Sequence, residues 1–257
     1  MIVRQSSGNG SWHLLTFRAR YWYFLAAALI ALGCASLPAA AQETAIREDF
    51  SSLEAWEAFA FAKKARKTRY EIVQGQADGL LKATSNSSAS ALIHTKRFNV
   101  FQFPILNWRW KVDSVYDGGD ATRKEGDDYP LRVYVLFAYD PEKAGLAQKL
   151  KYALAKTVHG EYPPDSTLNY IWANQDHEAG VLTNPYTDRA KMIPLQSGES
   201  RVGTWQEETR NVPADYRRAF GHDPPETASL AVMNDSDDTG EKSVSYLDWI
   251  EISADSK

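Results

Sequence analysis

Ile105-Leu106-Asn107-Trp108-Arg109-Trp110-Lys111-Val112 is the stretch that decides the fold. In an extended chain Leu106, Trp108, Trp110 and Val112 share one side, and Asn107, Arg109 and Lys111 share the other. Side chains of a strand alternate between faces, so a period of two marks a strand buried on one face only. Similar short segments rich in Val, Ile, Tyr, Trp and Phe lie on both sides of it. Upstream are 70–73, 80–83 and 89–94; downstream are 131–139, 168–174, 191–195, 204–212, 228–234 and 244–252. Gly, Asn, Asp and Pro clusters separate them, as turns require. Roughly nine to eleven such strands predict a mainly β fold. The expected architecture is a two-sheet antiparallel β-sandwich, jelly-roll-like, with strands 106–112 and 131–139 central.

Two helices interrupt the pattern. Pro141-Glu142-Lys143 opens a segment in which Leu146, Leu150 and Leu154 fall four residues apart, with Val158 continuing the stripe. An inserted amphipathic helix follows, covering a sheet edge or meeting a partner. The second helix is short, Ala214 to Phe220, and ends at Gly221, where a left-handed cap belongs.

The N-terminus has a different chemistry. The first 41 residues hold Arg4, Arg18 and Arg20 but no acid, then an apolar run from Tyr21 to Leu32, then Ala39-Ala40-Ala41. A basic start, a short apolar run and an A-x-A site predict a signal peptide over 1–41 and one mature sandwich domain over 42–257. The apolar run is shorter than the roughly 20 residues that span a bilayer, so no transmembrane segment is expected after cleavage. Periplasmic or secreted location follows, and lipidation at Cys34 is the weaker alternative. Of the 29 Lys+Arg, three leave with the signal, and of the 33 Asp+Glu none does, so the mature charge is about −7. The single cysteine leaves too, which rules out disulfide and thiolate chemistry in the mature domain. An acidic chain without a Lys/Arg stripe is not expected to bind nucleic acid.

Several motifs occur together: Trp108-Arg109-Trp110-Lys111-Val112, Gly126-Asp127-Asp128-Tyr129, Leu168-Asn169-Tyr170-Ile171-Trp172-Ala173, Asn184-Pro185-Tyr186-Thr187 and Met233-Asn234-Asp235-Ser236-Asp237-Asp238-Thr239-Gly240. In this order they resemble a family of exported bacterial proteins known only as domain of unknown function number 3047, from about Phe50 to Ile252. The resemblance implies no activity and supplies no functional residues. A more generic likeness, carried by Asp49-Phe50 and Asp248-Trp249-Ile250, is to jelly-roll sugar-binding modules, and it implies that the two ends of the fold meet.

Most catalytic signatures are missing. The sequence has no G-x-S-x-G elbow, no H-E-x-x-H pair and no strand-borne E-x-D-x-E pattern. Three possibilities stay open: non-catalytic binding of a glycan or other polar ligand, a carbohydrate-active enzyme using a carboxylate pair, and a structural partner in the cell envelope. For the first, Asp127, Asp128 and Arg132 are expected to line one end of a shallow groove with Asn169, Trp172 and Arg210. Such a set supplies acceptors, forked donors and a stacking surface, with Tyr170 and Trp172 sharing one exposed face. No cofactor is required, although Asp235, Asp237 and Asp238 offer the alternating oxygens that Ca²⁺ takes.

Overall fold

A computed structural model of the chain describes residues 43–60, 66–75, 78–142, 163–178 and 180–255. In chain order the strands are β1 (Thr44–Glu48), β2 (Trp56–Ala60), β3 (Arg69–Gln74), β4 (Gly79–Asn86), β5 (Ala89–His94), β6 (Phe98–Asn99), β7 (Ile105–Val112), β8 (Arg132–Phe137), β9 (Ser166–Ala173), β10 (Leu182–Thr183), β11 (Ala190–Ser197) and β12 (Gln206–Asn211). Helix α1 (Val212–Phe220) and strands β13 (Thr227–Asp235) and β14 (Lys242–Ser253) follow. One sheet runs β12-β7-β14-β4-β3, with β1 also on β14; the other runs β10-β11-β9-β8-β13-β5-β2, with β6 also on β13. The fold is therefore the expected sandwich, with β7 and β8 in the interiors of their sheets.

The alternation in β7 does what the sequence predicts. Leu106, Trp108, Trp110 and Val112 are fully buried, while Arg109 and Lys111 stay half-exposed on the outer face. Trp108 and Trp110 cross the core to meet Tyr170 and Trp172 of β9, with ring centroids 5.4 Å and 5.7 Å apart. These four rings join the two sheets, and large aromatic surfaces contribute most to such a core. The ends of the fold also meet, since Glu48 of β1 lies opposite Ile250 of β14.

Two details depart from expectation. The larger sheet is mixed, because β11 pairs in parallel with β9. Residues 174–189 give the connection the dozen or so residues that a parallel return needs. Pro194 lies at the register shift of that pairing, beyond the two residues of β11 that β10 covers. Proline, which lacks an N–H, is tolerated at bulges and edges of this kind. The short helix also starts earlier than predicted, at Val212, where the Asn211 side chain accepts the Ala214 N–H. It ends as foreseen at Gly221, with φ of 79°. The amphipathic helix expected from Pro141 to Val158 lies almost entirely outside the described residues.

Candidate functional site

Strand β8 sends Val133, Val135 and Phe137 into the core, so Arg132 and Tyr134 point to the outer face of the larger sheet. Arg132 sits between Ile171 of β9 and Met233 of β13, and Tyr134 sits between Asn169 and Ala231. Three connections gather around Arg132: the long loop ahead of β8, the β13–β14 hairpin, and the turn after β10.

Arg132 is 4% exposed. Its Nε donates to Asp235 Oδ1 at 3.1 Å, and its Nη2 makes a close ion pair with Asp235 Oδ2. Nη2 also donates to the Asp127 carbonyl at 3.3 Å, and Nη1 lies 3.7 Å from Asp127 Oδ1. The guanidinium stacks 4.6 Å from the Tyr129 ring centroid. Asn184 Nδ2 donates to Asp127 Oδ2 at 2.9 Å, and the Thr239 N–H donates to Asp128 Oδ2 at 2.6 Å. Burial pushes the Asp128 carboxyl up from its ordinary value, against the opposing pull of the Thr239 hydrogen bonds and Arg132.

Three buried acceptor oxygens here have no hydrogen-bond donor among the described residues: Asp127 Oδ1, Asp128 Oδ1 and Asn169 Oδ1. Asn169 belongs to the same neighbourhood. It lies opposite Met192, whose sulfur takes the Tyr129 hydroxyl at 3.1 Å and the Asn184 amide at 3.8 Å. Buried polar atoms are nearly always paired, so three orphan acceptors in one neighbourhood call for a donor or cation, whether ordered water, an ion or a ligand. At the solvent edge stands Tyr186, 54% exposed. Its hydroxyl donates to the Lys124 carbonyl at 3.1 Å and to Asp238 Oδ2 at 3.2 Å. Partial burial, then the Asp238 carboxylate, push this phenol up to about 12.

The loop ahead of β8 is held from beneath. Asn174 Nδ2 donates to the Asp128 carbonyl at 2.7 Å, and Asn174 Oδ1 accepts the Tyr116 N–H at 2.9 Å. Gly119 is required there, because a Cβ would fall 2.0 Å from Asn174 Nδ2. Asp120 ties the loop together by accepting from Thr122 N, Thr122 Oγ1 and Arg123 Nε. Those bonds, led by the Thr122 hydroxyl, hold its carboxyl down at about 2. A carboxyl whose pKa is depressed on folding stabilises above its ordinary pKa, and that contribution is lost as pH falls through the depressed value. Asp120→Asn should therefore cost about 1 kcal/mol near neutrality. In urea titrations between pH 5 and pH 2, the gap to the parent protein should close toward the acid end.

Of the residues singled out by sequence, Asp127, Asp128 and Arg132 come together, with Asn169 on the same face. Trp172 does not join them. It is fully buried between the sheets, with its Nε1 donating to the Gly198 carbonyl at 3.3 Å, and Tyr170 is equally enclosed. The exposed face expected for that pair points into the core. Arg210 lies on the edge strand of the other sheet, where Nε and Nη2 grip Asp215 at 2.8 Å and 2.5 Å and tie β12 to α1. Of the three hairpin aspartates, Asp235 and Asp237 approach Asp128, and the three present carboxylate oxygens within 4.8 Å of one another. Asp238 turns to Tyr186 instead. Tyr186, Asn184 and Tyr129 were not singled out, although each stands in a quoted motif.

The family profile described as "Protein of unknown function (DUF3047)" matches residues 54–251. The chain belongs to this family. The part matched to DUF3047 contains every candidate residue from Asp127 to Asp238. No curated protein matches the sequence. Solved structures that align with this DUF3047 chain include lectin II from Ulex europaeus, at 10% identity and TM-score 0.39, over 82% of this chain and 99% of the lectin. Trichoderma harzianum endoglucanase 3, of family GH12, aligns at 10% identity and TM-score 0.37, over 82% and 97%. The K3 cleaved adhesin domain of Lys-gingipain from Porphyromonas gingivalis aligns at 10% identity and TM-score 0.35, over 81% and 98%.

Proposed function

We propose that this DUF3047 protein is an exported, non-catalytic binder of a glycan or other hydroxyl-rich ligand, held beside Tyr186, Asp127 and Asn169. The observation that carries this is a pair of buried acceptor oxygens without donors among the described residues, Asp127 Oδ1 and Asn169 Oδ1. Acceptors alone select a ligand that donates, and sugar hydroxyls do so. Tyr186 adds an exposed ring on which an apolar sugar face can rest, the platform that excludes water from weak hydrogen bonds. Arg132 acts here as a positioning residue: it pins Asp235 and the Asp127 backbone so that the acceptors keep their places. Export rests on the basic, apolar and A-x-A features of the first 41 residues. Among the described residues, no helix is long and apolar enough to cross a membrane.

Hydrolysis is the second reading, and it would need two carboxyl groups about 5–10 Å apart across the scissile bond. The test is a glycan array that includes cell-wall oligosaccharides, probed with the parent protein and with Tyr186→Ala. Parent binding should fall roughly tenfold in the variant, the size of one lost aromatic contact, with melting nearly unchanged because the ring is exposed. Absence of binding across the array, or full affinity in the variant, would refute the assignment. Release of new reducing ends from a bound glycan would favour the carbohydrate-active alternative.

A further inference from the structure

We infer that Asp128, Asp235 and Asp237 form a binding site for a divalent, oxygen-preferring cation of the Ca²⁺ type, separate from the ligand contacts proposed at Tyr186. The three carboxylates come from two places far apart in the chain: the loop ahead of β8, and the end of β13 with the hairpin after it. Their oxygens lie within 4.8 Å of one another. Calcium–oxygen distances are about 2.3–2.6 Å, so two ligands of one ion can be at most roughly 5 Å apart, and the cluster satisfies that limit. All three donors are hard carboxylate oxygens, the kind that Ca²⁺ and Mg²⁺ take and softer metals do not require.

Asp128 supplies the independent indication. It is 0% exposed, and while Oδ2 is held by the Thr239 N–H, Oδ1 has no donor among the described residues. A carboxylate removed from water and left half-satisfied is costly unless a positive charge meets it. Arg132 does not fill that role. Its ion-pairing arms go to Asp127 and to Asp235, itself one of the three, so it acts on Asp128 only from a distance. Asp237, half-buried at the rim, leaves an approach from solvent, through which waters can complete the six to eight ligands Ca²⁺ usually takes.

The ion would fasten the β13–β14 hairpin to the loop ahead of β8. Calcium titrated into the chelator-treated protein should give one-to-one binding by calorimetry, with a dissociation constant of about 1 mM or tighter. A hundredfold excess over that constant should raise melting by about 5 °C or more. Asp237→Asn, at the rim, should fold with nearly the parental melting temperature in chelator and lose both the heat and the calcium-induced shift. Asp128→Asn should lose them as well. Asp223→Asn, an exposed acid at the opposite end of β13, should retain them. No heat from the parent with Ca²⁺, Mg²⁺ or Mn²⁺ up to about 10 mM, ten times the weakest usual dissociation constant, would overturn the proposal. Parental affinity in both Asp237→Asn and Asp128→Asn would overturn it too. Neither readout involves a glycan, so this site and the proposed ligand site can fail separately.

Discussion

Arg132→Ala should destabilise the protein by about 3–5 kcal/mol, the penalty for removing one partner of a buried ion pair. The loss follows from what remains behind. Asp235 loses the partner of both carboxylate oxygens, and the Asp127 carbonyl and carboxylate lose their cation, all at less than a tenth of full exposure. Tyr129 and Tyr134 lose the planar cation stacked beside them. Lysine would restore the charge but not the fork that engages Asp235 twice, so Arg132→Lys should recover only part of the loss. Urea unfolding measures this through the midpoint at constant slope. A loss below about 1 kcal/mol for Arg132→Ala would show that the acids around it do not depend on it.

Trp172→Ala should cost a similar amount, about 3–5 kcal/mol, for a different reason. Its ring is wholly enclosed, touches Trp110 edge-on at 5.7 Å and bonds the Gly198 carbonyl, so truncation leaves a cavity at the centre of the four-ring contact between the sheets. Melting should fall by roughly 10 °C for a domain of this size. At a temperature where the variant is folded, ligand affinity should survive, because Trp172 lies on the side of the sheet away from Tyr186 and Asn169. A variant that keeps its stability and loses binding would restore Trp172 to the ligand surface.

Why the Trp108–Trp110 pair was placed correctly from sequence and the Tyr170–Trp172 pair was not comes down to what covers the two faces of each sheet. The outer face of β7 meets solvent, so its polar residues mark the outside and Trp108 and Trp110 must turn in. From Leu168 to Ala173 every residue of β9 is buried. Alternation still groups Leu168 with Tyr170 and Trp172, but nothing in the pattern says which group faces the core. Short edge elements were missed for a related reason. β6 and β10 have two residues each, too few for a period to register.

The site was legible only in part. Asp127, Asp128 and Arg132 are near neighbours in the chain, and a charged loop running into a strand draws attention to them. Asp235 is about a hundred residues away, and it reaches Arg132 only because β13 lies beside β8 with Met233 opposite Arg132. That register is a property of the folded sheet, and no local pattern encodes it. The hairpin aspartates look equivalent in sequence, yet the chain turns Asp237 toward Asp128 and Asp238 toward Tyr186. Tyr186 stood in a quoted motif, but one tyrosine in a turn carries no sign of being exposed.

The most direct test of the central claim is a crystal structure of the protein soaked with cell-wall oligosaccharides. A sugar ring is expected over Tyr186, its hydroxyls reaching Asp127 Oδ1 and Asn169 Oδ1 directly or through one ordered water, at about 2.5–3.0 Å per hydrogen bond. Ordered waters on those oxygens with no sugar beside Tyr186, or a sugar bound on the outer face of the other sheet, would contradict it.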